Sequence, residues 1–302
     1  MIQTLEIVWR LATCLILAPL VPGIINKVKA WVAGRKGPPV LQLYFDLARL
    51  WRKGTVLSTA VSPGHVAGPA VAWMALAGAA VLLPLGPTGA GLSFQGDALL
   101  FLYLLGLARF CTTLAALDTG SAFEGMGAAR EVSYAVLSEA AMITALLTLG
   151  LKSGSVSLTQ MLAPSAGTGA ALLAGGLFTV LLAENCRVPF DDPNTHLELT
   201  MVHEVLVLDH SGPPLAVILH GASLKLLLFS LLLAQAVLPI GRLGPLPAGG
   251  VLAVTVLVVA AGVGLVESLL ARFAFRRVPL LLTTAFLLCL FALLAAWKGG
   301  AS

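Results

Sequence analysis

Long apolar stretches recur along the chain, and each is about the length that crosses a lipid bilayer. Short segments rich in glycine and proline, such as Gly212-Pro213-Pro214, separate them. Because a spanning helix needs ~20 apolar residues, the pattern predicts eight transmembrane helices. Their expected bounds are 3–23, 66–86, 97–117, 131–150, 170–186, 215–238, 248–269 and 278–297.

One more helix is predicted in the first loop, over residues 40–53. Its polar residues are Gln42, Asp46, Arg49 and Lys53, spaced four, three and four positions apart, so they line one narrow face. Such an amphipathic helix lies in the membrane interface or covers a cavity between spans, although it could also be a surface anchor with no further role. The predicted fold is therefore all-α: a single polytopic membrane domain over 1–302 with about eight transmembrane helices and one amphipathic interfacial helix.

Composition supports a membrane protein. Apolar residues make up 58% of the chain and charged residues 11%, whereas a soluble domain carries about 25% charged residues. The net charge of +4 is too small and scattered to indicate a nucleic-acid partner. The four cysteines are far apart and form no CxxC pattern, so we expect packing residues rather than metal ligands, and no metal site.

Basic residues indicate the orientation in the membrane. They concentrate in the first and seventh loops, while the second, fourth and sixth loops hold almost none. Since cytoplasmic loops carry the excess of lysine and arginine, we expect the odd-numbered loops to be cytoplasmic and both termini to lie outside. The basic residues of the two loops are Lys27, Lys29, Arg35, Lys36, Arg49, Arg52, Lys53, Arg272, Arg276 and Arg277.

Ionisable residues within or beside the predicted spans are candidates for proton transfer. A charged group facing lipid is costly, so these side chains must face protein or water. Buried carboxylates and lysines can exchange protons near neutral pH. The alternative is ion pairing between helices, for instance Lys225 with one glutamate. The residues are Asp118, Glu131, Glu139, Glu184, Lys225 and Glu267.

The fifth loop, residues 187–214, is the most polar part of the chain. Thr195 and Glu198 form a capping-box pattern, which predicts a helix running to about Asp209. Its histidines, seven residues apart, are too widely spaced to bind one metal ion. An acidic loop bearing histidines favours docking of a soluble partner or a proton route, although a merely solvated loop remains open. The three histidines are His196, His203 and His210.

The third loop, residues 118–130, is rich in glycine but lacks the Gly-Lys-Ser/Thr ending of a phosphate-binding loop. No Ser/His/Asp or Cys/His arrangement appears elsewhere. The sequence thus predicts no catalysis by this chain alone.

Two motifs resemble a known family. Gly37-Pro38 precedes the amphipathic helix, and Arg187-x-Pro189-Phe190-Asp191 is followed by Glu198-Leu199. Together with eight spans, they resemble subunit 1 of respiratory complex I and its relatives in energy-converting hydrogenases. The hydrogenase branch, represented by the membrane subunits of formate hydrogenlyase and hydrogenase-4, is the more similar one over residues 117–121, 125–127, 130–131 and 195–204.

The resemblance implies a multi-pass subunit of a bacterial or archaeal plasma membrane with no cofactor of its own. Its expected partners are the lipid bilayer, antiporter-like membrane subunits, and a cytoplasmic arm whose redox centres lie in a [NiFe] hydrogenase large subunit and an iron–sulfur small subunit. By position, Arg187, Asp191 and Glu198 would face the arm, while Glu131 and Glu139 would belong to an acidic path.

Combining the resemblance with the charge pattern gives two predicted sets. The proton-path candidates are Glu131, Glu139, Glu184, Glu198, His203, Glu204 and Lys225. The arm-docking candidates are Asp118, Arg130, Arg187, Asp191 and Asp192. The alternatives are a complex I-type subunit with a quinone chamber under helix 40–53, a stand-alone secondary transporter, and a purely structural anchor. The transporter is disfavoured because no paired inverted halves are visible.

Overall fold

The computed structural model describes residues 2–86, 89–162, 169–191, 201–238 and 244–300. Within these ranges all regular structure is helical, as predicted. The α-helices are α1 (Ile2–Leu17), α2 (Leu20–Val32), α3 (Gln42–Trp51), α4 (Pro63–Leu82), α5 (Asp97–Leu117), α6 (Ala122–Ser153), α7 (Leu158–Met161), α8 (Ala170–Glu184), α9 (Gly212–Val237), α10 (Pro245–Leu269) and α11 (Val278–Gly300).

The polytopic membrane fold is confirmed. Within the described ranges, seven helical segments are long and apolar enough to cross a bilayer, the first of them combining α1 and α2. The fifth predicted span is the 15-residue helix α8, about 22 Å long at 1.5 Å per residue. It is shorter than the ~30 Å hydrocarbon core, yet it connects the same two ends of the bundle as the longer helices.

The odd-numbered loops meet at one end of the bundle, called the odd end below. Hydrogen bonds join the first loop to the third and fifth, and the seventh to the fifth. They run from the Ser62 N–H to Asp118 Oδ2 (2.7 Å), from the Val56 N–H to Ser211 Oγ (2.9 Å) and from the Phe273 N–H to the Pro189 carbonyl (3.0 Å). The assignment of this end to the cytoplasm stays a prediction.

The even-numbered loops meet at the opposite end, near the start of α1. The contacts that join them are Ser93 Oγ with Ser157 Oγ (2.9 Å), the Gln235 amide with the Pro84 carbonyl (2.7 Å), and the Arg10 guanidinium with the Gly89 carbonyl. Helix α9 runs through the middle of the bundle, because nearly every side chain from Leu224 to Ala236 is buried.

Three predicted boundaries are wrong. The first helical segment does not end at Pro22-Gly23, because both residues lie in the first turn of α2, where a proline needs no N–H partner. Gly23 is needed there, since a Cβ atom would lie 2.0 Å from the Val40 carbonyl oxygen. The fourth span begins at Ala122 rather than 131, so most of the predicted third loop is helical.

The third error concerns the fifth loop. Residues 192–200, which hold the predicted capping box, His196, Asp192 and Glu198, lie outside the described residues. From Met201 onward the chain forms one 3-10 turn, Glu204–Val207, instead of a helix running to Asp209. Gly127 on α6 permits this turn to pack closely, since a Cβ there would lie 2.2 Å from a methyl carbon of Val205.

The amphipathic helix is confirmed as α3. It packs mainly against α9, with Leu47 buried and Phe45 and Trp51 exposed. The Tyr44 hydroxyl donates to the Ile16 carbonyl in α1. Leu43 lies at the wall of an internal cavity, so α3 covers that cavity at the odd end.

Candidate functional site: a charged cluster on an internal cavity

Arg109 of α5 lies at the centre of a cluster of carboxylates. Its guanidinium forms ion pairs with Glu139 of α6 and Glu184 of α8, and its Nε lies 3.6 Å from Glu131 Oε1. Glu131 and Glu139 are two helical turns apart and share one face of α6. The Arg109 side chain is only 9% exposed, so these charges stabilise one another within an apolar bundle.

A second cation completes the cluster from the opposite side. Lys225 of the central helix α9 lies 2.9 Å from Glu184 Oε2, and the Ser138 hydroxyl donates to the same carboxylate. Glu184 is thus held by two cations and a hydroxyl. This geometry matches the ion-pairing alternative for Lys225, while a role of Lys225 in proton transfer stays a prediction.

The cluster lies at a cavity of about 250 Å³ that extends from the middle of the bundle towards α3. Its polar wall includes both the cluster and the fifth loop. The polar or charged lining residues include Asn26, Arg109, Glu131, Glu184, Asn185, Cys186, Arg187, Asp191, His203, Glu204, Ser223 and Lys225. Because polar groups line a space of this size, water can occupy it.

Asp191 positions the loop segment that borders the cavity. The Val202 and His203 N–H groups donate to its carboxylate at 2.9 and 3.1 Å, and Arg272 of the seventh loop lies 3.3 Å away. Asp191 is only 2% exposed. Its side chain therefore acts inside the chain, holding His203 against the cavity; a role in docking an arm stays a prediction.

The other docking candidates also lie at the odd end. Arg187 pairs with Glu267 at 3.3 Å, and the same glutamate lies 2.7 Å from Lys29. The Arg130 guanidinium donates to the Met201 carbonyl and lies 4.4 Å from the centre of the Phe275 ring.

Asp118 caps the junction with the first loop, and its hydrogen bonds from Ser62 lower the pKa of its carboxyl below the ordinary value. Asp192 lies outside the described residues.

The structure brings most of the predicted proton-path residues together. Glu131, Glu139, Glu184 and Lys225 meet in the cluster, and His203 and Glu204 line the same cavity. Glu198 lies outside the described residues.

Sequence reasoning missed Arg109, although an arginine within the span 97–117 satisfies the rule that selected the glutamates. It also missed Glu124, which is fully buried and accepts the Asp209 N–H at 3.2 Å.

Among the described residues, one group has ligand atoms close enough to hold a metal ion. The atoms of Glu131, Cys186 and His203 lie within 4.8 Å of one another.

Fold and site together define a multi-pass helical membrane protein with a buried charged cluster connected by a cavity to loops at one end. Residues 5–297 match the family described as NADH dehydrogenase. The chain belongs to this family, that of the complex I subunit 1-like membrane proteins.

Two curated relatives come from Escherichia coli (strain K12). The chain is 33% identical to hydrogenase-4 component C over 236 residues, which is 76% of this chain and 73% of the relative. It is 30% identical to formate hydrogenlyase subunit 4 over 250 residues, or 80% of each chain. A membrane subunit of the NADH-quinone oxidoreductase of Verminephrobacter eiseniae (strain EF01-2) is 31% identical over 66% of this chain and 59% of its own length.

A solved structure has the same fold. A chain of the membrane-bound sulfane sulfur reductase, an archaeal respiratory membrane complex, superposes with a TM-score of 0.84 at 21% identity, covering 98% of this chain and all of that one. Family membership and the apolar helices make this chain a multi-pass membrane subunit of a respiratory-type or hydrogenase-like complex.

Proposed function

We propose that this chain anchors a [NiFe]-hydrogenase-type arm at its odd end and relays protons between the cavity and neighbouring antiporter-like subunits. The redox centres, a [NiFe] site and iron–sulfur clusters, would lie in the partner subunits. This chain would contribute the ionisable path. The similarity to hydrogenase-4 component C and formate hydrogenlyase subunit 4 supports the choice of partners.

The observation that carries the relay is the arrangement around Arg109. One guanidinium contacts three carboxylates, and a lysine contacts one of them from the other side. Three carboxylates and two cations cannot all be paired one to one, so a proton added to one carboxylate shifts the balance for the others. Such coupled groups titrate as a set rather than singly. A set of this kind can pass a proton along at low cost.

The two ends of the proposed path face different surroundings. His203 and Glu204 lie on the cavity wall next to the loop. Glu139, by contrast, has a side chain that is 50% exposed on the outer surface of α6. A carboxylate facing lipid costs several kcal/mol, so this position favours a neighbouring membrane subunit that covers it. The path would therefore run from the loop through Glu131 and Glu184 to Glu139.

Docking at the odd end would couple the arm to this path. The fifth loop is held by Asp191 and Arg272, and its residue His203 reaches the cavity that holds Glu131. A change of charge or position in the arm would move this segment and so change the proton affinities of the cluster.

The relay is tested in the intact complex reconstituted into liposomes. Glu139→Gln and Glu184→Gln are each expected to reduce proton movement per electron at least tenfold, measured with a pH-sensitive dye. Hydrogen production should continue. Glu6→Gln, an exposed carboxylate on α1 far from the cluster, is the matched control. Unchanged proton movement in both cluster variants would refute the relay.

A second candidate function has one specific observation in its favour. The cavity reaches Leu43 of α3, where a quinone-reducing subunit of the complex I type would hold its substrate. Turnover of the complex that depends on added quinone, or photolabelling of α3 by a quinone analogue, would favour that function. Electron transfer without quinone would favour the hydrogenase-type proposal.

A further inference from the structure

Three side chains with three different metal-binding atoms converge on the wall of the cavity. Glu131 comes from α6, Cys186 from the end of α8 and His203 from the fifth loop, and their ligand atoms lie within 4.8 Å of one another. A metal ion bound to all three would lie at a point about 2–2.3 Å from each. Ligand atoms that are already this close need little movement to reach it.

The backbone at Cys186 indicates that its side chain has a purpose. Helix α8 ends in a pair of hydrogen bonds, from the Cys186 N–H to the Ala183 carbonyl (3.1 Å) and from the Arg187 N–H to the Leu182 carbonyl (2.9 Å). This is the Schellman motif, whose left-handed residue is usually glycine. Here that residue is Cys186, with φ 48°, and a side chain in this conformation costs roughly 1–2 kcal/mol. Strain of this kind concentrates at functional sites.

Glu131 offers one oxygen to the cluster and one to the thiol. Its Oε1 lies 3.6 Å from Arg109 Nε, whereas its Oε2 lies 3.8 Å from the Cys186 Sγ. The carboxylate can therefore bind a metal ion through Oε2 while it keeps its ion pair with Arg109.

The local charge also favours a divalent cation. The carboxylates of Glu131, Glu139 and Glu184 are balanced by only two cations, Arg109 and Lys225, which leaves one negative charge. Deprotonation of Cys186 on binding would bring a second. One divalent ion would then neutralise the whole cluster, which matters in a bundle where an unpaired charge is costly.

We propose that Glu131, Cys186 and His203 bind one divalent transition-metal ion of the thiophilic class, with Zn²⁺ as the probe. A thiolate and an imidazole select such ions over Mg²⁺ and Ca²⁺, which prefer oxygen ligands. Three protein ligands leave a fourth position for water on the cavity side, the arrangement of open zinc sites. The site does not require that the chain relay protons.

The first test uses the purified full-length chain in lipid nanodiscs. Zinc titration should give one ion per chain, and X-ray absorption at the zinc edge should show one sulfur at about 2.3 Å with nitrogen and oxygen at about 2.0–2.1 Å. Cys186→Gly should lose the sulfur signal and bind zinc at least tenfold more weakly. This variant is expected to fold, because glycine adopts the left-handed conformation without strain. Cys111→Ala, a free cysteine away from the cavity, is the matched control and should bind as the wild type does.

A second measurement needs no variant. Zn²⁺, but not Mg²⁺, should protect Cys186 from a small methanethiosulfonate reagent, with modification mapped by mass spectrometry and Cys111 as the internal control. Equal zinc binding by wild type and Cys186→Gly, a zinc site without sulfur, or labelling of Cys186 unaffected by zinc would each overturn the proposal. Because every readout is binding, these results are independent of whether the relay is right.

Discussion

The ammonium group of Lys225 lies 2.9 Å from the carboxylate of Glu184, and the two residues belong to helices that are otherwise apolar. Arg109 contacts the same carboxylate and also reaches Glu131 and Glu139. Glu184 therefore keeps one cation if the other is removed, whereas Glu131 and Glu139 depend on Arg109.

Replacing Arg109 should cost more stability than replacing Lys225. Arg109→Gln leaves three carboxylates with one cation, and breaking a buried ion pair costs about 3–5 kcal/mol. Lys225→Met should cost clearly less, because Arg109 still holds Glu184. Thermal unfolding of the chain in detergent measures the difference, with the exposed Arg35→Gln as the control. Equal losses for the two cluster variants would show that Arg109 is not the centre of the cluster.

Gly127 should be needed for the packing of the 3-10 turn Glu204–Val207. In Gly127→Ala the new Cβ would lie 2.2 Å from a Val205 methyl carbon, and overpacking of this kind costs about 1–3 kcal/mol. We expect faster proteolysis within residues 201–211 and a lower unfolding temperature.

Gly125→Ala is the matched control for that substitution. No atom lies within 4 Å of a Cβ at Gly125, so alanine should stabilise α6 by about 0.5–1 kcal/mol. If both variants behaved alike, contact with Val205 would not be the cause.

Stability should fall in mild acid because of His210. Its ring stacks on that of His65 at 3.9 Å, and within the described ranges neither ring nitrogen has a hydrogen-bond partner. Burial, and to a lesser degree the neighbouring His65, lower the pKa of His210 to about 4 from 6.5. The unfolded chain therefore takes up the proton first, so stability is complete above about pH 6.5 and is lost as the pH falls towards 4.

Unfolding measured between pH 8 and pH 4 checks the His210 prediction. The His210→Phe variant keeps the ring stacking but has no proton to bind, so its stability should fall less over this window. The two proteins should show parallel behaviour above pH 7. An equally steep acid loss in both would assign the effect to another group, such as the nearby buried Glu124 or His65 itself.

Asp191 should affect arm binding through the loop rather than by direct contact. Asp191→Ala removes the acceptor of the Val202 and His203 N–H groups and the partner of Arg272. Asp191→Asn retains an acceptor for the N–H groups and loses only the charge. We expect the alanine variant to retain less arm on purification than the asparagine variant.

Co-purification of the arm subunits with a tagged chain measures this order. Lys298→Gln, an exposed cation near the C-terminal end of α11, should retain the arm fully. If alanine and asparagine at position 191 retained equal amounts, the hydrogen bonds to the loop would not govern docking.

Much of the architecture could be predicted from the sequence. The apolar stretches gave the spans and the spacing of Gln42, Asp46 and Arg49 gave α3, because a bilayer fixes the length of a helix and its surroundings fix the face. Boundaries were less predictable: Pro22 lies within a helix because it occupies a first turn, and the glycine-rich start of α6 is helical because Gly127 packs against Val205.

The sequence by itself determined that this chain is a membrane-spanning helical protein and which of its residues are charged at membrane depth, since both follow from the cost of exposing polar groups to hydrocarbon. Only the tertiary structure decided which of those charges meet. Arg109 and Glu184 are far apart in the chain, and so are Glu131, Cys186 and His203. Their meeting depends on how α5, α6 and α8 pack around α9, and that packing is set by side-chain shape over the whole bundle rather than by any local pattern.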